Sequence, residues 1–278
     1  MMESLWKVLV SIGGRYLVFA GLLYGVFYVW RGHPWKRLKI QVKEPKKGIV
    51  IMEFLYSALT ISIFSVVIWW LVYSPFHKHT RVYDRKEEFG MLWFWASIVI
   101  SIFVHDTYFY WTHRLMHWKP IFRYAHHVHH RSHNPTPLAA YSFHPLETIV
   151  ELGVVPLIVF TMPIHPSALI IFGIYMIVMN VTGHLGYELY TKKFMQSRWL
   201  KYFHNTSTHH NMHHKYSHCN YGLYFNFWDR IMGTNHPKYE ETYLAIYDRE
   251  AERGNAADVT PRAGAARIVH LKVAEGKE

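Results

Sequence analysis

Apolar residues gather in long runs separated by short polar, basic stretches. Runs from about Leu5 to Trp30, Gly48 to Ser74 and Gly90 to Trp111 each exceed the roughly 20 residues that carry a helix across a bilayer core of about 30 Å. They predict three spans. The first contains Lys7 and Arg15 and ends in Tyr28-Val29-Trp30 with no small-residue cleavage site, so it reads as an uncleaved anchor and not a signal peptide. A further apolar region, 146–187, is interrupted at Met162-Pro163-Ile164-His165-Pro166, where the prolines stop a helix. It predicts a hairpin of two shorter helices that either crosses and returns or dips in from one side.

Lys and Arg set the orientation. The segment 31–47 carries seven of them and 75–89 carries four, which places 31–47 in the cytoplasm and 75–89 outside. The third span then exits into the cytoplasm near Trp111, the hairpin starts and ends there, and the chain after Leu189 stays there. The predicted architecture is an all-α, polytopic membrane helical bundle of about three spans plus the hairpin, with a cytoplasmic, helical, His-rich metal-binding cap. Residues 1–100 read as membrane-anchoring helices, 101–236 as a histidine-rich catalytic domain that includes the hairpin, and 237–278 as a peripheral cytoplasmic tail, partly disordered from Asp248.

Composition sharpens this picture. Of the 278 residues 51% are hydrophobic, 17% aromatic and only 18% charged, against about a quarter charged in soluble domains. The formal charge of +11 comes from short runs flanking the apolar segments, with no basic recognition stripe, so anionic lipid headgroups and not nucleic acid are the expected partner. A single cysteine, Cys219, excludes an intramolecular disulfide framework, a Cys-rich zinc module and a self-contained iron–sulfur cluster. Any metal needs other ligands, and 17 of the 22 histidines fall within residues 105–218.

Those histidines are patterned. His113 and His117 form HxxxH, one helical turn apart and able to reach one ion. His126, His129 and His130 form HxxHH, and His210, His213 and His214 repeat it. In a helix each triplet shares a face, while adjacent imidazoles diverge by about 100° and can serve different ions. Eight imidazoles in these motifs exceed the shell of one ion, so two metals are implied, with Fe, Zn, Cu or Ni all suited to imidazole. His184, at the end of the second hairpin arm, is expected as a ninth ligand. Asp106, on the stripe of His113 and Tyr110, is placed to orient an imidazole or to be a ligand itself. His144 reads as a ligand or, preferably, as a residue around the ligands with Glu147, and His127, His133, His204, His209 and His218 as hydrogen-bond donors around the site. His33, His77, His79, His165, His236 and His270 read as loop or surface residues.

The stretches HDTYFYWTHRLMH (105–117), HHVHHRSHNPTPLAAYSFHPLE (126–147), the isolated His184 and THHNMHHKYSHCNYGLYFNFWDRIMGT (208–234) resemble the fatty acid hydroxylase/sterol desaturase superfamily of membrane di-iron oxidases. The NPTP, HPLE and NYG…WDRIMGT pieces are most similar to its sterol C5-desaturase branch. The resemblance implies two irons held by His113, His117, His126, His129, His130, His184, His210, His213 and His214, with O2 as co-substrate; Asp106 and Glu147, from the residue pattern, are the candidate catalytic residues. Zinc is able to replace iron in a purified sample. The implied reaction is hydroxylation or desaturation of a lipid C–H bond, in a sterol-type lipid or, alternatively, a fatty acyl or sphingolipid. The implied setting is the endoplasmic reticulum of a eukaryote or the inner membrane of a bacterium, with the site facing the cytoplasm.

No HPGG haem motif or GxGxxG fingerprint is present, so electrons come from a partner such as cytochrome b5 or ferredoxin. Lys192, Lys193, Arg198 and Lys201 offer part of a dock for it. Aromatic residues such as Tyr108, Tyr110, Trp111, Tyr141, Phe143, Tyr221, Tyr224 and Trp228 crowd the expected lipid entrance. Two other readings use the same residues. A divalent-metal transporter would carry its ligands near the bilayer midplane, and a zinc hydrolase would need an acid/base carboxylate such as Glu147 or Glu188.

Overall fold

The computed structural model describes residues 2–30 and 32–258, and of 250–258 the backbone alone. Helix is the only regular secondary structure of the described residues. In place of strands they have two isolated bridges, Lys39 with Tyr187 and Val82 with Ile164. Among the described residues four helices are long and apolar enough to cross a membrane: α1 (Met2–Val29), α2 (Lys47–Tyr73), α3 (Gly90–Met116) and α8 (Pro166–Gly183). Their outward faces carry apolar residues such as Leu22, Leu55, Val66 and Leu92, as a surface meeting lipid requires. The chain is an integral membrane protein.

The hairpin is asymmetric. Its second arm is the continuous α8, whereas the first is split at Gly153 into α6 (Pro145–Leu152) and α7 (Val154–Thr161). Pro156 supplies no N–H to the carbonyl of Leu152 and its ring crowds that carbonyl, and the Tyr108 hydroxyl donates to Val150 O at 2.7 Å. Pro166 opens α8 at a first-turn position, with His165 Nδ1 accepting from Ser167 N at 3.1 Å. The 75–89 loop bonds to this tip through Arg81 N to Val159 O and Ile164 N to Arg81 O.

Between the spans lies non-helical backbone. The NPTP stretch runs into a 3-10 turn, Pro137–Tyr141, packed against α1, α2 and α8 with Tyr16, Phe64, Ile177 and Val181. Backbone of this kind at membrane depth needs polar partners, and the spans provide them. Tyr16 and Ser57 donate to Leu138 O at 2.9 and 2.8 Å, the buried Glu53 accepts from the Thr136 hydroxyl at 2.5 Å, and Asn180 donates to Ala140 O at 2.7 Å. Polar residues within apolar helices therefore position the segment that follows the first HxxHH.

Short helices α4 (Lys119–Ala125), α5 (His127–His130), α9 (Lys192–Gln196), α10 (Leu200–Phe203), α11 (Ser207–Tyr216) and α12 (Phe227–Ile231) build the cap. The tail differs from the expectation. Helix α13 (Tyr239–Asp258) continues through the Gly254–Ala257 stretch, and Tyr239, Tyr243 and Ile246 are buried, the tyrosines against Phe194 and Met212. The i, i+4 spacing of Tyr239, Tyr243 and Tyr247 makes one apolar stripe. Residues 259–278, with Thr260-Pro261 and His270, lie outside the described residues. His33 is also buried, among Phe27, Trp35 and Tyr187, and is not a surface residue.

Candidate metal centre

The end of α3 supplies His113 and, at its C-cap, His117. His126 precedes α5, a single turn that carries His129 and His130, and His184 caps the end of α8. Helix α11 carries the second HxxHH. Its N-terminus is held by the Thr206 hydroxyl, which accepts from His209 N, and by Glu188, whose Oε2 accepts from Thr208 N and the Thr208 hydroxyl at 3.1 and 2.7 Å.

The nine imidazoles fall into two groups. His113, His117, His126, His130 and His213 form one; His129, His184, His210 and His214 form the other, and within each the donor atoms lie within 4.8 Å of one another. In the first group, Nε2 to Nε2 separations are 2.9 Å for His113–His126, 3.1 Å for His117–His213 and 3.0 Å for His130–His213. In the second they are 3.3 Å for His129–His184, 3.0 Å for His184–His210, and 3.2 Å from His214 to both His184 and His210. The neighbours His129 and His130 enter different groups, as do His213 and His214.

The opposite ring nitrogens decide what these contacts mean. Nδ1 of His113, His129, His184, His213 and His214 meets the carbonyl of Tyr221, Ser142, Asn180, Cys219 and Ser132 respectively, at 2.7–3.3 Å. A carbonyl only accepts, so Nδ1 of each ring carries the proton and Nε2 presents a lone pair. Lone pairs of neutral imidazoles held about 3 Å apart repel one another unless a cation lies between them. In a shell with metal–nitrogen bonds of about 2.0–2.1 Å, neighbouring donors in an octahedral arrangement stand about 3 Å apart. The residues therefore fit a metal ion in each group.

Burial first, and neighbouring imidazoles next, hold His126, His129, His130, His210, His213 and His214 well below the ordinary histidine range. Burial pushes His117 to about 2 and His184 to about 4. These eight rings are neutral at neutral pH, as metal ligation requires.

The carboxylates divide differently from the sequence expectation. Glu147 Oε1 stands 2.7 Å from His126 Nδ1, both nearly fully buried. Asp106, in contrast, makes its hydrogen bonds to a loop: its Oδ1 accepts from the backbone N–H of Tyr224 and Phe225 at 2.8 and 3.1 Å. It is a clamp on that loop and makes no hydrogen bond to an imidazole; Nδ1 of His113, two turns further along α3, meets the Tyr221 carbonyl instead. His105 likewise meets the Tyr224 hydroxyl at 2.7 Å. His144 caps α6, with Nδ1 accepting from Leu146 N.

Residues 98–234 match the family model described as fatty acid hydroxylase. The chain belongs to the fatty acid hydroxylase family. It is 28% identical over 222 residues to the Delta(7)-sterol 5(6)-desaturase of Gibberella zeae, covering 79% of this chain and 64% of that protein. It is 28% identical over 255 residues to the lathosterol oxidase of Homo sapiens, covering 89% and 80%. With the C-4 methylsterol oxidase of Schizosaccharomyces pombe it shares 28% over 280 residues, covering 90% and 89%. The chain thus spans just under two thirds of the Gibberella relative. No solved structure matches it.

All nine imidazoles lie inside the segment that matches the fatty acid hydroxylase model, and so does a residue that the spacing of histidines does not flag. Asp229, buried, accepts from Tyr221 N at 2.8 Å and the Thr234 hydroxyl at 2.7 Å through Oδ1, and from Gly222 N at 2.7 Å through Oδ2. A Cβ on Gly222 would stand 2.7 Å from Phe225 O and 2.9 Å from Asp229 Oδ2, so only glycine fits. Asp229 thereby fixes the loop whose Tyr221 carbonyl orients His113. Its signal in the sequence is its place in the quoted NYG…WDRIMGT piece.

Proposed function

We propose that this protein is an O2-dependent di-iron oxidase that hydroxylates or desaturates a C–H bond of a membrane lipid of sterol type. What carries the reading is an apolar cavity between the spans whose neighbouring chamber is walled by phenylalanines that pack on imidazoles of both groups. That cavity, of about 430 Å³, is lined by residues of α1, α2, α7 and α8. A smaller chamber beside it shares Phe64, Ile68, Tyr141, Val155 and Met176 and is also walled by Phe109 and Phe143, which pack on His113 and His129 at ring separations of 4.8 and 5.3 Å. A lipid lying in the cavity thus brings one end to the ligands. The sterol class is carried over from the names of the relatives.

Iron held in the two groups would supply the oxidising power for an unactivated C–H bond. Either outcome consumes O2, two electrons and two protons. Hydroxylation leaves one oxygen atom on the lipid and one in water; desaturation takes two hydrogen atoms from the lipid and leaves both oxygen atoms in water. The chain's own contribution is to keep the imidazoles neutral and oriented, to seat the lipid and to exclude bulk water. Glu147, on His126, serves as a positioning residue. Glu188 has both oxygens engaged by Thr208 and Tyr190 N, so it is not the free acid/base carboxylate that a zinc hydrolase needs.

Of the aromatic residues expected at the entrance, Phe109, Tyr141 and Phe143 line the chamber, whereas Tyr110, Trp111 and Trp228 pack on one another. The electron donor, a cytochrome b5 or ferredoxin, approaches from the cap. Lys192 and Lys201 pair with Asp248 and Glu240, so Lys193 and Arg198 remain the better basic contacts for it. The basic 31–47 segment, beside anionic headgroups, places the cap in the cytoplasm; a reporter fused after Glu278 should read cytoplasmic, and an external signal would refute that side.

Purified protein loaded with iron and given O2, a competent donor and either a Δ7-sterol or a saturated acyl lipid tests the reaction. Mass spectrometry should show the sterol gaining an oxygen atom or losing two hydrogen atoms. Turnover of the acyl lipid alone would overturn the sterol assignment, and no O2-dependent product from either lipid would overturn the oxidase.

A further inference from the structure

One carboxyl group in the chamber has no partner in the protein. Glu151 lies one turn beyond Glu147 on α6, is 8% exposed and lines the chamber beneath the histidines. Among the described residues it takes part in no hydrogen bond or ion pair, although Glu147 one turn earlier is engaged by His126. Its surroundings are mostly apolar and aromatic: Phe64, Phe109, Phe143, Leu152 and Val155 share the wall, and its polar members His105 and Asn180 are engaged by the Tyr224 hydroxyl and the Ala140 carbonyl. A carboxyl placed among such groups without a partner costs several kcal/mol by general transfer arguments, and an ionisable residue at membrane depth marks a functional contact.

We infer that Glu151 is a specificity-determining residue that binds the hydroxyl group of a hydroxylated lipid. The assignment rests on the lipid-oxidase reading and narrows its substrate. The chamber is small, about 50 Å³, and the same walls touch ligands of both metal groups: Phe109 packs on His113, Phe143 on His129, and the Asn180 carbonyl accepts from His184 Nδ1. A hydroxyl bound by Glu151 and a carbon held against Phe109 and Phe143, the rings that pack on His113 and His129, occupy one compartment. The oxidised carbon therefore lies only a few bonds from the hydroxyl, and the apolar remainder of the lipid extends into the 430 Å³ cavity. A sterol entering hydroxyl-end first meets these conditions, since its hydroxyl sits on the ring at one end of a long apolar body. A simple saturated acyl chain offers nothing for Glu151 to bind.

The test is equilibrium binding of two probes, lathosterol and its counterpart lacking the hydroxyl, to the purified holoprotein and to Glu151→Leu and Glu151→Gln variants. A hydrogen bond to a carboxyl in a desolvated site supports at least about a tenfold preference. Wild type should bind lathosterol at least about tenfold more tightly than the deoxy probe. Glu151→Leu should erase that preference by weakening lathosterol alone, with deoxy-probe affinity and metal content unchanged, and Glu151→Gln should keep part of it. Equal affinity of wild type for the two probes, weak binding of both, or a preference that survives in Glu151→Leu would each overturn the assignment. Turnover is scored separately: a Glu151-dependent preference in a protein that oxidises neither sterol would count against the oxidase and leave the hydroxyl site standing.

Discussion

His213→Ala should reduce turnover to below about one hundredth of wild type and empty the five-histidine group while the four-histidine group stays loaded. His213 Nε2 stands 3.1 and 3.0 Å from the corresponding atoms of His117 and His130, so its removal takes away the donor that two others converge upon. The alanine also leaves the Cys219 carbonyl without the N–H that His213 Nδ1 provides at 2.7 Å, a further loss of about 1–3 kcal/mol for a buried acceptor. Glu147→Gln is the graded comparison. It keeps the shape and removes the charge beside His126 Nδ1, and a change behind a ligand weakens metal affinity by about 10–100-fold, so it should show partial occupancy and measurable turnover. Metal content per chain by elemental analysis, read with the rate, checks the pair. Full occupancy and activity in His213→Ala would remove His213 from the site, and equal losses in both variants would contradict the separate roles of ligand and support.

Which histidines gather was legible because helical spacing is a local property. HxxxH and HxxHH put imidazoles on one face, and the nine rings singled out by spacing, position and resemblance are the nine that the structure gathers. How they divide was not legible. In the first HxxHH the i, i+4 pair His126 and His130 joins the five-histidine group and His129 the other; in the second, His210 and His214 join the four-histidine group and His213 the other. The two motifs approach from different elements, and their relative rotation is fixed by tertiary contacts with no local signal.

The same limit explains Asp106. Its place on the histidine stripe of α3 was correct as helical geometry, but the stripe meets a loop from 118 residues further along the chain before it meets the metal site. The three spans and the proline-marked hairpin followed from apolar length, while the break at Gly153 depended on Pro156 and on Tyr108 of another helix. The buried stripe of α13 was readable in Tyr239, Tyr243 and Tyr247. It was obscured by the polar residues between them and by the Gly and Asn that follow.

Asp229→Ala carries the second large effect, and it reaches the metal site without touching it. The alanine leaves two buried donors, Tyr221 N and Gly222 N, without their acceptor, and takes one of two partners from the Thr234 hydroxyl, which keeps that of Tyr110. At about 1–3 kcal/mol for each such group, the folded state should lose at least about 2 kcal/mol. Because water has little access to the loop, relaxation has to come from the 219–222 backbone itself. That backbone presents the Tyr221 and Cys219 carbonyls to His113 and His213, both in the five-histidine group, whereas His184 and His214 are oriented by Asn180 and Ser132. The loss should therefore be selective. Under a chelator, the variant should release one metal early and the second at the wild-type rate, and its thermal midpoint should fall. Asp229→Asn keeps one acceptor oxygen but sets an amide N–H₂ against a donor, so it should fall between alanine and wild type. Simultaneous early loss of both metals would mean that the loop supports the whole cap and not one group, and an unchanged release profile with a lowered midpoint would reduce Asp229 to a folding role alone.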